Sequence, residues 1–271
     1  MREETMAVNK SCSSLLIALL LIFAAPGRVA AEDETASKRF DVSGFTRIAL
    51  EGSSQVQIVQ GDHYEVVATG PVDAMAYAKA EVRGDTLELS VEAEKKSWFG
   101  VITVSIDPGV EYRVTMPVIE GVKVAGSGAA RAETLESKDL ELRVTGSGSI
   151  RIDKVAAEAL SASVTGSGDL SAGTVLAVNG QAAIMGSGDL RMDNFVGEQL
   201  TASIKGSGDM AVGGRVVDLQ INLMGSGDFI GRRLHADIAV GSVMGSGDIV
   251  IRRPAKDSFS VMGSGDVALI D

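Results

Sequence analysis

"VTGSGDL", Val164 to Leu170, decides the architecture of this chain. Near-copies recur through its second half. Gly-Ser-Gly begins at Gly126, Gly146, Gly166, Gly186, Gly206, Gly225, Gly245 and Gly263, at steps of 20, 20, 20, 20, 19, 20 and 18 residues. Self-similarity at such a period marks a solenoid in which each repeat is one coil stacked on the next. Apolar residues alternate before the tripeptide (Leu142 and Val144, Ala162 and Val164, Ala182 and Ile184) and after it (Ile150 and Ile152, Leu170 and Ala172, Leu190 and Met192). Period two means strand. Twenty extended residues trace a loop of roughly 60 Å at about 3.3 Å per residue. Parallel pairing of successive coils then satisfies the backbone along the stack.

Parity assigns the motif a role. Val164 and Leu170 are six residues apart, so unbroken alternation points both inward. Gly166 and Gly168 then face inward, while Thr165, Ser167 and Asp169 face out. A sharply bent corner leaves no room inside for a Cβ, and glycine tolerates the dihedrals of a bend. The glycines are therefore expected to form a stacked corner.

From Phe40 to Val124 the tripeptide is absent, but "RIALEGSSQVQIVQG", "YEVVATG", "DTLELSVE", "GVITVSI" and "EYRVTMP" all read as strand, with one short helix expected within Val72 to Lys79. The organisation expected is a signal peptide over 1–31, a short linker over 32–39 and one domain over 40–271. Within that domain, 40–124 form irregular first coils and 125–271 the repeat coils.

The succession "FTRIALEGSSQVQIVQGDHYEVVATG", "MPVIEGVKVAGSG" and serial "GSGDL" coils resembles the putative auto-transporter adhesin head GIN domain, an exported bacterial domain of unknown function. The resemblance covers Phe40 to the C-terminus. It implies an all-β fold, a right-handed single-stranded parallel β-helix, and an adhesin-like role; it implies no catalytic residues.

The N-terminus reads as an address. Lys10 precedes the apolar run "LLIALLLIFAA" (Leu15 to Ala25), and Val29 and Ala31 stand at the -3 and -1 positions before Glu32. Eleven apolar residues are too few to span a bilayer, which takes about 20. Cleavage would remove Cys12, the one cysteine, and with it any disulfide, thiolate nucleophile or cysteine metal ligand. It would leave 22 basic and 34 acidic residues, a net charge of -12. That balance repels phosphate backbones and anionic lipid, so nucleic acid is excluded as a partner. No later stretch is apolar enough to span a membrane, and no translocator barrel is expected in the chain. The destination expected is the periplasm or the cell exterior, with a protein or glycan partner at the envelope.

Candidate chemistry centres on a column of acids. Asp169, Asp189, Asp209, Asp228, Asp248 and Asp266 occupy one outward position in six successive coils; Ala129 and Ser149 fill it earlier. Coils lie about 4.8 Å apart, where unit charges repel by about 0.9 kcal/mol in water. Either a cation such as calcium bridges the acids, or each accepts backbone N–H bonds in its own bend. One acid per corner falls short of the six to eight oxygens calcium takes, so the local role is preferred and no cofactor is expected. Arg151 and Arg191, two positions on, are placed to offset the charge.

Carbohydrate-active enzymes also use β-helices, but their chemistry wants two carboxylates across a cleft, and acids in one flat column do not supply that. Only His63 and His235 are present, and no HExxH or Gly-x-Ser-x-Gly motif supports a zinc or serine site. No catalytic residue is assigned.

Two surface features bear on partners. Met185, Met224, Met244 and Met262 precede the tripeptide in four coils and point outward by parity, unless a local twist buries them, which is the reading preferred here. "EKKSWFG", Glu94 to Gly100, reads as a hairpin tip or a contact point built on Trp98. The last coil ends without a polar cap, so its edges invite end-on pairing with a second copy.

Overall fold

Within one repeat the alternation slips twice, and the slips are where the chain turns. In the coil from Ser149 to Gly168, Ile150 and Ile152 are buried, then Asp153 and Lys154 are both exposed; Val155 is buried, then Glu158 and Ala159 turn outward; Leu160, Ala162 and Val164 are buried up to the Gly-Ser-Gly corner. Each coil therefore has three sides. The computed structural model describes residues 35–91 and 109–271. The signal peptide, "GVITVSI" as far as Asp107 and the "EKKSWFG" segment with Trp98 lie outside the described residues.

The repeats form β9 (Ala129–Gly146), β10 (Ser149–Gly166), β11 (Asp169–Gly186), β12 (Asp189–Gly206), β13 (Met210–Gly225) and β14 (Phe229–Gly245). Each pairs in parallel with the next, as in Ile150 to Leu170 to Leu190 to Met210. The result is a parallel β-solenoid whose inward columns are aliphatic, with Phe195 and Phe229 fully buried. The 19-residue step has a local cause: β12 carries Asp193 and Asn194 at a corner where β13 has Gly213 alone, and β14 restores the residue.

The first coils depart from simple stacking. Strands β2 (Arg47–Gly52) and β3 (Gln55–Gln60) make one coil, sandwiched between two others. On one side lie β6 (Thr86–Val91) and β7 (Glu111–Met116); on the other lie β8 (Gly121–Gly126) and β9. This end is closed by antiparallel strands: β4 (Glu65–Pro71) on β7, β1 (Thr35–Phe40) on β4, and β5 (Ala78–Arg83) on β6. Residues 35–39, read from sequence as linker, are thus strand. Helix α1 is one turn, Val72–Met75, shorter than the span expected. Tyr112 is fully buried here, its hydroxyl donating to the Ser90 carbonyl at 2.7 Å, and burial pushes its pKa up to about 12.

At the opposite end, β16 (Lys256–Gly263) pairs with β14, and β17 (Val267–Ile270) pairs with β15 (Ile249–Arg252). Their second edges have no partner among the described residues.

Candidate functional site

The Gly-Ser-Gly corner fixes where every outward column stands. The serine N–H of each corner donates to the first glycine carbonyl of the coil beneath: Ser147 to Gly126, Ser167 to Gly146 and Ser187 to Gly166, at 2.8–2.9 Å. Alternation survives the corner: Gly168 is buried, and Thr165, Ser167 and Asp169 are exposed. The first glycine of each corner has the positive φ expected of a bend, 115° at Gly166, but the crowding has a different source from the one read from sequence. A Cβ at Gly166 would lie 2.5 Å from the Gly146 carbonyl oxygen, and one at Gly148 2.5 Å from the Gly128 oxygen. The obstruction is the backbone of the neighbouring coil, met along the stack, rather than the inside of the bend.

Sequence reasoning missed one corner. Gly52, Ser53 and Ser54 hold the same place in the first coil: Ser127 and Gly128 both donate to the Gly52 carbonyl at 2.9 Å. Among the described residues no equivalent corner lies beneath, none comes within 4 Å of a Cβ placed at Gly52, and a serine stands where all later coils have the second glycine. The alternation of "QVQIV" after Ser54 was a usable signal, but its distance from Gly126 hid the periodicity.

The acid column acts between coils instead of within its own bend. The N–H of Asp209 donates to Asp189 Oδ1 at 3.1 Å, Asp228 to Asp209 at 2.9 Å, Asp248 to Asp228 at 2.8 Å, and Asp266 to Asp248 at 2.8 Å. Lower in the stack the same N–H uses a main-chain acceptor: Ser149 donates to Gly128, Asp169 to Gly148 and Asp189 to Gly168. From Asp209 upward the aspartate carbonyl accepts from the coil below, as from Met210 to Asp228 at 2.9 Å, and the carboxylate replaces the acceptor so lost. Arg151 and Arg191 do not neutralise this column: Arg191 pairs with Asp193 at 2.6 Å, and Arg151 sits 4.0 Å from Asp153. Among the described residues no group of three or more His, Cys, Asp or Glu side chains is arranged to hold a metal. His63 pairs with Asp62, while His235 accepts from Arg252 at 2.8 Å; the two histidines serve separate contacts.

This relay makes a prediction. Asp209→Asn keeps an acceptor oxygen and relieves like-charge repulsion, so its unfolding free energy stays within about 0.5 kcal/mol of the parent. Asp209→Ala leaves the Asp228 N–H to water and costs about 1 kcal/mol. Urea melts distinguish the two. Parallel melts in calcium and in chelator are expected to coincide; a calcium-dependent rise that Asp209→Asn abolishes would make the column a cation site.

The methionine column is exposed. Met185, Met224, Met244 and Met262 are 56%, 47%, 39% and 70% accessible, so no twist buries them. They edge a side of the solenoid whose outward residues from β10 to β14 include Ser163, Ala183, Ser203, Asn222 and Ser242, with Lys205 its one charge over positions 161–165 and their equivalents. Near the closed end a polar tie spans three coils. Arg47 of β2 reaches past Gly121 of β8 to Glu141 of β9 at 2.9 Å. A Cβ at Gly121 would lie 3.0 Å from the Arg47 guanidinium. The bond from Arg47, joined by Arg143, holds the Glu141 carboxyl below the usual range.

No helix among the described residues is long and apolar enough to cross a membrane. No curated protein sequence matches this chain. Solved structures do. A putative lipid binding protein from Parabacteroides distasonis superposes with a TM-score of 0.78 at 21% identity, over 89% of this chain and 98% of that one. A putative adhesin from the same organism gives 0.78 at 20% identity, over 88% and 98%. Another putative adhesin, from Parabacteroides merdae, gives 0.70 at 17% identity, over 89% and 98%. At these identities the likeness shows the fold alone. The family model for the putative auto-transporter adhesin, head GIN domain, matches residues 44–213 and 172–270, and the chain belongs to that family.

Proposed function

We propose that this chain is an exported, non-catalytic interaction module that holds a protein partner at the cell envelope along the side of its solenoid. The observation that carries the reading is the exposed methionine column on a side whose outward residues from β10 to β14 include a single charge. Each methionine offers a soft, rotatable apolar tip that adapts to a partner's surface. Stacking sets these tips at coil spacing on a rigid backbone, so a partner meets them with little ordering of the solenoid itself. The adhesin description of the family agrees with such a role. Export rests on the N-terminal sequence, and cleavage before Glu32 is part of the reading.

The test replaces two tips. Met224→Glu with Met244→Glu is expected to weaken retention of the mature protein on isolated cell envelopes by about tenfold or more, the scale of a lost hot spot. The melting midpoint should stay put, because both side chains stand outside the core. Retention that ignores the double substitution, or that survives protease treatment of the envelopes, would sink the methionine face as the contact.

A further inference from the structure

A different side of the solenoid carries a row of depressions, and their chemistry differs from that of the methionine face. The outward residue two positions after the acid column runs Arg131, Arg151, Ser171, Arg191, Ala211, Ile230 through successive coils. The residue two further on, at the first corner, runs Glu133, Asp153, Gly173, Asp193, Gly213, and Arg233 stands opposite Gly213. From Arg151 onward, long and short side chains therefore alternate coil by coil. The coils with Ser171 and Gly173, and with Ala211 and Gly213, are floors; the coils with Arg151 and Asp153, and with Arg191 and Asp193, are walls.

Two depressions result from this alternation, and a third, lined by Arg131 and Glu133, lies in file with them along the stack. One of about 370 Å³ lies between Gln57 and Arg151, one of about 420 Å³ between Arg151 and Arg191, and one of about 260 Å³ between Arg191 and Ile230. Arg151 borders the first and second, and Arg191 the second and third. The short floors are built in: a Cβ at Gly173 would lie 2.5 Å from the Asp153 carbonyl oxygen, and one at Gly213 2.5 Å from that of Asp193. Successive walls stand two coils apart, about 9.6 Å.

From this we infer that the file of depressions is a binding site for a linear, uncharged glycan, alternate sugar residues seating in successive depressions. Three properties select that class. First, the walls carry both signs in close pairs: Arg191 lies 2.6 Å from Asp193, and Arg233 3.6 Å from the same carboxylate. A planar guanidinium beside a carboxylate offers donors and acceptors side by side, the complement of neighbouring sugar hydroxyls. Second, a polyanion is disfavoured, because the acid column with Asp189 and Asp209 runs beside the walls on the same side. Third, two coils span the length of a disaccharide in an extended chain, so a polymer with alternating residues keeps step with the depressions. The exposed part of Ile230 and the aliphatic stems of the arginines supply apolar surface for the C–H faces of the rings.

The test uses cellohexaose and chitohexaose, with cellobiose and chitobiose as one-seat controls, titrated calorimetrically into the protein. At least one hexasaccharide is expected to bind about tenfold tighter than its disaccharide, since only the longer chain spans several seats. Ser171→Arg with Ala211→Arg fills both floors, and the fold accommodates it because Arg131 and Arg151 already stack at this column. That variant is expected to melt like the parent and to lose binding by about tenfold or more. Arg191→Gln, which removes a wall without adding bulk, should lose it too. No binding of either hexasaccharide, equal affinity for long and short chains, or full binding by the filled variant would each overturn the assignment. The methionine face is judged separately: the filled variant should still be retained on envelopes, and Met224→Glu with Met244→Glu should still bind the hexasaccharide.

Discussion

Gly148→Ala is expected to lower the unfolding free energy by about 3 kcal/mol or more, whereas Gly52→Ala costs about 1 kcal/mol. The two glycines hold different places in equivalent corners, third at Gly148 and first at Gly52, and meet different obstacles. At Gly148 the backbone dihedral is open to any residue, so the whole penalty comes from packing: the new methyl would meet the Gly128 carbonyl oxygen at 2.5 Å and Val124 Cγ1 at 2.7 Å. A main-chain oxygen in a parallel ladder cannot rotate aside as a side chain can. Relief requires opening the spacing between two coils, which loosens the hydrogen bonds of the corner. At Gly52 no described residue lies within 4 Å of the added methyl, and the positive φ of 94° is what penalises a side chain. Urea melts followed by circular dichroism measure both. A cost at Gly148 no larger than that at Gly52 would mean that the neighbouring coil does not bar a side chain at this corner.

Phe195→Ala is expected to cost about 3–5 kcal/mol, the range for an aromatic removed from a well-packed core. The ring is fully buried, and its column otherwise holds Leu135, Val155 and Val175. The extra volume is accommodated by omissions elsewhere. A Cβ at Gly180 would lie 2.7 Å from Phe195 Cε2 and 2.8 Å from Cζ. Gly180→Ala alone should therefore cost about 1–3 kcal/mol by overpacking. Added to Phe195→Ala it should cost almost nothing further, because the methyl then enters the space the ring has left. Such non-additivity is the signature of residues that share one cavity. Additive losses in the double-mutant cycle would show that the ring and the glycine do not share that space.

These two sites also show what could be read before any coordinates. The spacing of Gly126, Gly146 and Gly166, with alternation on either side, was enough for coils, register and the inward and outward sets, because parallel stacking repeats each local pattern at the same place. Distance along the stack was hidden. Parity says that Gly148 faces inward; it does not say that the Gly128 oxygen is what a methyl would strike. The aspartates were recognised as one column, yet their bonds run to the next coil's N–H, which depends on a peptide rotation no residue pattern announces. The burial expected for Met185 and Met244 failed for a plainer reason: their alternation was already correct, and no twist was needed. The closed end was least legible, since β8 returns to stack on β2 after strands that lie beyond it in sequence. Long returns of that kind leave no periodic trace. Two of the depressions leave no mark in the sequence because they come from side chains that are short, at Ser171, Gly173, Ala211 and Gly213.

Near-identical repeats carry a hazard of their own: a chain can zip up one whole coil out of phase and lose few contacts at each step. Ser54 works against that error. Its side chain occupies a position that elsewhere must hold no Cβ, so its segment has only one berth, at the bottom of the column of corners. Any arrangement that slides a Gly-Ser-Gly coil beneath it forces the clash that every other corner avoids. One hydroxymethyl group at the foot of the described Gly-Ser corners thereby sets the phase from which all later coils are counted.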